Sequence, residues 1–324
     1  TAVVAGIAGV AGFAGLANAV DLNPDGLGQV LIYPYYTVNK SQDTQFSVVN
    51  SSDIGKAVKV RFLEGYNSRE VLDFNLYLSP HDVWTGAITT VGDDTTGAQL
   101  ITHDHSCLDG VSPDTQIPFR PYAYDGSLSA EPLDGGPTDI TRTREGYFEI
   151  ISMGDIPVGS ALAADITHAQ DGTPDDGMPP DCGSAPSDVG DLVAPTGGLF
   201  GAGAVVNVGV GTFFGYNAEA LDGFTSQPLY YDPSQLLPNL TQANDTVATS
   251  GVARAYVFEG GGALLAADYT DGRDAVSAVL MADTLYNEYY VDPDFGSTTD
   301  WVVTFPTKRF YVDQGLYPGA TIPP

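Results

Sequence analysis

Two imidazoles one residue apart, His103-Asp104-His105, form the only histidine cluster of the chain. On a strand they would share a face and could supply two ligands to Zn²⁺ or Cu²⁺. Spacing offers no third ligand, so the cluster reads as part of a polar loop. Hard oxygen ligands of the kind Ca²⁺ takes are concentrated in Gly92-Asp93-Asp94 and between Asp171 and Asp191. Asp171, Asp175 and Asp176 are the candidate calcium ligands, although their spacing is not that of an EF-hand. Any bound metal is therefore expected to be Ca²⁺ on loop aspartates, and no other cofactor is expected. Covalent and phosphoryl chemistry find no foothold, because the chain has no Gly-x-Ser-x-Gly, His-Glu-x-x-His or Walker loop. A glycosidase needs only two placed carboxylates, and 41 acidic residues single out no pair. The chain reads as a non-enzyme.

Cys107 and Cys182 lie in loop-like sequence beside Asp, Gly and Pro. In an exported protein they are expected to form one disulfide, which ties the loop at 169–195 back to the body. Closing a loop of this length contributes about 4 kcal/mol in the chain-entropy model.

Export is suggested by residues 1–19, an apolar run ending Ala17-Asn18-Ala19, which is the small-x-small pattern of a signal-peptidase site. The basic region and initiator Met of a signal peptide are missing from this stretch. The alternative is that the segment is retained for assembly. Glycines at 6, 9, 12 and 15 alternate at period three with Ile7, Val10, Phe13 and Leu16. With Val4, these four are the candidate assembly residues, either as a helix with small-residue contacts or as an extended strand completing a neighbour's sheet. The formal charge of −29 would repel nucleic acid and anionic lipid. No later stretch reaches transmembrane length, so no transmembrane domain is expected in the mature chain.

The elements that must position any site are strands. In Lys56–Leu63, Val58, Val60 and Phe62 alternate with Lys59 and Arg61. In Val71–Pro80, Leu72, Phe74, Leu76 and Leu78 alternate with Asp73, Asn75 and Tyr77. This period of two, twice, with a Gly/Asn/Ser turn between, predicts an antiparallel hairpin with one core face and one solvated, charge-paired face. Further strands are expected at 29–38 (an edge or bulge at Pro34), 45–50, 85–88, 98–102, 145–154, within 197–216, at 253–258 and at 301–305, resuming at 310–312. Trp84 reads as a core plug. The glycines of 197–216 alternate with valines and read as close backbone approaches in a strand pair, not as a phosphate cradle. One short helix is predicted near 274–285. The expected fold is mainly β: an antiparallel β-sandwich, loosely immunoglobulin-like, with long acidic loops. It would occupy residues 20–324 as one large domain, with a subdivision near 170–195 as the alternative.

Several blocks together carry a resemblance. Pro34–Val38 (PYYTV), Gly55–Trp84 (GKAVKVRFLEGYNSREVLDFNLYLSPHDVW) and Thr299–Val312 (TDWVVTFPTKRFYV) resemble a secreted proteobacterial family usually labelled only "cell surface protein". The resemblance implies a signal peptide, further chain past the last block and a place on the bacterial cell surface. It implies no activity and no catalytic residues. The expected function is that of an extracellular structural protein, a filament or surface-layer subunit that self-associates through its apolar N-terminal segment. A secreted adhesin or carbohydrate-binding module is the alternative, with a secreted hydrolase third.

Overall fold

The computed structural model describes residues 19–312 apart from 94, 169–176, 245–251, 260–262, 283, 287–288, 290 and 295–297. Its strands are β1 (Ala19–Leu22), β2 (Val30–Thr37), β3 (Asp43–Asn50), β4 (Gly55–Glu64), β5 (Glu70–Leu78), β6 (Val83–Thr90), β7 (Ala98–Ile101), β8 (Cys107–Asp109), β9 (Gln116–Pro118), β10 (Glu145–Ile156), β11 (Leu199–Asn207), β12 (Thr212–Asn217), β13 (Glu219–Asp222), β14 (Ala253–Glu259) and β15 (Ala263–Tyr269). The helices are α1 (Ala161–Ile166), α2 (Gly272–Leu280) and the single turn α3 (Arg309–Val312).

A nine-stranded sheet in the order β15-β14-β1-β13-β2-β10-β4-β5-β8 faces a six-stranded sheet in the order β12-β11-β3-β6-β7-β9. Pairing is antiparallel throughout except between β1 and β14. The fold is therefore the expected sandwich, with no closed barrel. Between the sheets, Tyr33 stacks on Phe148 with ring centres 4.1 Å apart, and Phe46 packs edge-on to Phe62 and Trp84. Trp84 is fully buried among them.

The β4–β5 hairpin forms as its alternation predicts, with Val58 opposite Leu76 and Val60 opposite Phe74. Its turn is held by the Glu64 carboxylate, which accepts backbone N–H bonds from Tyr66, Asn67 and Arg69 at 2.7, 3.0 and 2.7 Å. The expectation of a solvated polar face is corrected: every residue of β4 and β5 is buried. Residues 120–144, 225–242 and 301–312 roof the outer face of the nine-stranded sheet. Alternation reports which side chains share a face, and not whether a later segment covers it.

The roof covers a layer of ion pairs and joins it. Lys59 meets Asp73 at 2.8 Å, Arg61 bridges Glu70 at 2.8 Å and Glu149 at 3.2 Å, and Arg142 grips both oxygens of Glu64 at 2.8 and 2.9 Å. Glu131, from the roof, joins Arg69 at 3.0 Å to Arg309 at 2.7 Å. At the sandwich end Lys56 reaches Asp155 at 2.8 Å. Buried charges persist only when paired and further hydrogen-bonded. Accordingly Lys59 also donates to the Asp232 carbonyl, and Tyr122 donates to Glu70. Burial drives the Glu149 carboxyl up to about 7, against the pull of Arg61 and with the push of Glu70. Burial works against the Asp134 carboxylate too, yet hydrogen bonds from Arg142 and Asn67 hold it well below the usual range.

Of the two alternatives at Pro34 one holds, and two further expectations are corrected. Pro34 is not at a sheet edge, since β2 lies between β13 and β10; the bulge is real, with the register slipping opposite Pro34 and Tyr35. Residues 301–305 form no strand; the Thr304 hydroxyl donates to the Pro34 carbonyl instead of entering a ladder, and 310–312 belong to the helical turn α3. The helix expected at 274–285 runs from Gly272 to Leu280, because Asp271 caps it by accepting from the Arg273 N–H at 3.0 Å. Asp271→Ala should lower stability by about 1 kcal/mol, measured as a shift of the urea midpoint.

Candidate assembly face

The roof changes what the surface is made of. Lys56, Lys59, Arg61, Arg69, Arg142, Arg144 and Arg309 are buried, as are Glu64, Glu70, Asp73, Glu131, Glu149 and Asp155. Removing those seven and six from totals of 12 cations and 41 acids leaves five cations and 35 acids elsewhere. The remainder of the protein is a polyanion nearly devoid of countercharge.

One face departs from this. The two longest stretches without Asp, Glu, Lys or Arg are residues 192–218 and 1–20. The first builds β11 and β12, whose glycines serve close packing: a Cβ at Gly201 would overlap the Tyr33 hydroxyl, and one at Gly203 the Tyr216 ring. With the inward positions so filled, β11 turns Phe200, Ala202, Ala204 and Val206 outward. Register then assembles rows across the outer face of the six-stranded sheet. Asn217, Ala202, Ser47 and Thr85 form one row, and Gly215, Ala204, Gln45, Ala87 and Ile101 the next. Phe200, Val49 and Val83 bound these rows on one side, Phe213 and Val206 on the other. Small residues between larger ones leave a shallow trough of about 900 Å³. Among the described residues, Asp43 at one corner and the His103-Asp104 loop at the rim are what bring acidic or basic side chains near it. Such a face can bury apolar and amide surface against a partner without desolvating a charge.

The edge of the same sheet is equally bare. Every residue of β12 is exposed or half-buried, with Phe213 72% and Phe214 60% exposed, and the turn before it presents Val208 and Val210.

Of the residues singled out by sequence, Cys107 and Cys182 form the expected disulfide, with Cα atoms 5.0 Å apart. It binds β8 to the segment carrying Ala185 and Leu192, which packs with Ala57, Tyr77 and Met153. His103 and His105 are brought together by a group that spacing did not reveal. Asp114 bonds the first ring nitrogen at 2.6 Å and the second at 2.9 Å, in an exposed loop. Hydrogen bonds from His103 and then His105 hold the Asp114 carboxyl below its ordinary value. Among the described residues, no group of three or more His, Cys, Asp or Glu is arranged to hold a metal ion. Asp171, Asp175 and Asp176, and Val4, Ile7, Val10, Phe13 and Leu16, lie outside the described residues. No helix among those residues is long and apolar enough to cross a membrane.

A second concavity of about 440 Å³ lies under residues 301–305, against the β4–β5 turn and the start of β10. Tyr35, Tyr66, Tyr147, Trp301 and Phe305 give it aromatic walls, with Asn67, Glu145 and Lys308 as polar groups. It is fixed from behind, where Arg309 donates to the Ser68 carbonyl at 3.0 Å and Tyr147 to the Pro306 carbonyl at 3.3 Å. Compared with family models, curated proteins and solved structures, the chain matches none.

Proposed function

We propose that this chain is a structural protein of the bacterial cell exterior, which self-associates into a filament or surface layer through its apolar N-terminal segment. The observation that carries the reading is the charge-poor outer face and the charge-free β12 edge of the six-stranded sheet, on a protein otherwise left with 35 acids and five cations. Like-charged copies repel, so stable association requires contact where carboxylates are absent. A disulfide between Cys107 and Cys182 is compatible with an oxidising exterior. The test is intact-mass measurement of protein recovered from the native cell surface, with negative-stain microscopy of the same sample. The reading expects a chain that keeps residues before Val20, in fibres or lattices. A chain starting at Val20, in discrete particles, overturns it.

The groove under residues 301–305 favours a second reading, a saccharide-binding adhesin. Flat aromatic side chains beside amide, carboxylate and ammonium groups suit the alternating apolar and hydroxylated faces of a sugar. Binding to a glycan panel, lost by at least tenfold in Trp301→Ala at unchanged melting temperature, would favour this reading over assembly.

A further inference from the structure

We infer that the edge of β12, unpaired among the described residues, is the acceptor for residues 1–18 of a second copy, added to the six-stranded sheet as a further strand. The inference rests on the reading that this segment is retained. An edge strand presents a row of unpaired N–H and C=O groups, and soluble proteins guard such edges with Lys, Pro, bulges or a covering segment. β12 pairs with β11 on one side, and Thr212–Asn217 contains no Lys, no Pro and no charge.

Its aromatics lie on both faces. Phe213 is opposite Val206 on the outward side, whereas Phe214 is opposite Val205 and Tyr216 opposite Gly203 on the inward side. Both Phe213 and Phe214 are left more than half exposed. A strand of simple apolar/polar alternation could cover only one of these faces. Residues 1–18 have a different pattern. Their large side chains recur every third residue, and in a strand positions three apart point to opposite faces. Ile7 and Phe13 would then share one face and Val10 and Leu16 the other, with Ala and Gly between them. The segment thus offers large apolar groups to both sides of an edge that exposes aromatics on both sides. Its main chain supplies the ladder bonds that the edge lacks.

Electrostatics select the same partner. The donor stretch 1–20 and the acceptor stretch 192–218 are the two longest charge-free segments in a chain of net charge −29. Joining them brings no carboxylate into the new ladder. Because donor and acceptor are different surfaces, the contact is head-to-tail, and repeating it generates an open polymer.

The experiment uses two full-length variants followed by sedimentation and negative stain. Phe213→Glu/Phe214→Glu removes the acceptor and Ile7→Asp/Phe13→Asp removes the donor. Each alone should remain monomeric, with the Cys107–Cys182 bond formed and the melting temperature of the wild-type monomer. Mixed, they should form a one-to-one dimer and nothing longer, because one functional donor meets one functional acceptor. Val158→Glu, exposed in the loop after β10 and away from the six-stranded sheet, should still polymerise. Polymers that persist in the acceptor variant but vanish in the donor variant overturn the β12 site and leave assembly through the N-terminal segment standing. Association that persists in the donor variant and is lost in the acceptor variant overturns the inference in favour of edge-to-edge pairing of two β12 strands. Association unaffected by either variant overturns both the inference and the functional reading.

Discussion

Arg61→Met should lower the free energy of unfolding by about 3–5 kcal/mol at pH 8, the usual loss when one partner of a buried ion pair is removed. The guanidinium is 3% exposed and is shared by Glu70 and Glu149, both buried, so its loss leaves two carboxylates in the interior with no cation between them. Burial works against the Arg61 charge, but Glu70 and Glu149 hold its proton more tightly than in a free guanidinium. The pH dependence identifies the cause. Glu149 in the folded protein titrates at about 7, against an ordinary value of 4.5. Between those values the folded state holds a proton that the unfolded chain has lost, so this group's contribution to stability falls as pH rises. Glu149→Gln should flatten that slope. The deficit of Arg61→Met should shrink at pH 5, where the stranded carboxyl is protonated. Urea midpoints at pH 5 and pH 8 decide it; an equal deficit at both would assign the loss to packing alone.

The double variant Cys107→Ala/Cys182→Ala should lose about 4 kcal/mol, because the bond closes a span of 75 residues whose unfolded ensemble it restricts. The loss should be local before it is global. The disulfide fastens the cluster of Leu162, Ile166, Ala185 and Leu192 onto Ala57 and Tyr77, so amide exchange should accelerate first over residues 177–195. Equal acceleration in β3 and β6 would show instead that the sandwich core depends on the bond.

Period two made the β4–β5 hairpin legible, and the same signal misjudged its charged face. Lys59 and Arg61 do alternate with Val58 and Val60, but the groups that bury them, Asp232, Tyr122 and Glu149, are far away in sequence. Local pattern cannot anticipate cover contributed by a distant loop. At residues 301–305, apolar and β-branched composition suggested a strand, yet the segment meets the bulge at Pro34, where no ladder is on offer. The helix begins two residues before Asp274 because the capping carboxylate is Asp271. At the candidate face, the absence of charge from 192–218 can be read from the chain alone. The trough cannot, because it exists only once register sets Ala202 beside Ser47 and Ala204 beside Gln45.

The buried cations bear also on how the protein fares against proteases. Proteases of the trypsin type cut after lysine or arginine and need several residues of exposed, extended chain around the bond. Between Lys40 and Arg254 the basic residues are Lys56, Lys59, Arg61, Arg69, Arg120, Arg142 and Arg144, and of these only Arg120 is exposed. A fold that buries its cleavage sites among ion pairs and hydrogen bonds presents more than 200 residues of chain to such an enzyme with a single exposed basic residue. Persistence in a proteolytic environment is then a property of the charge arrangement itself, and it should fail together with the roof.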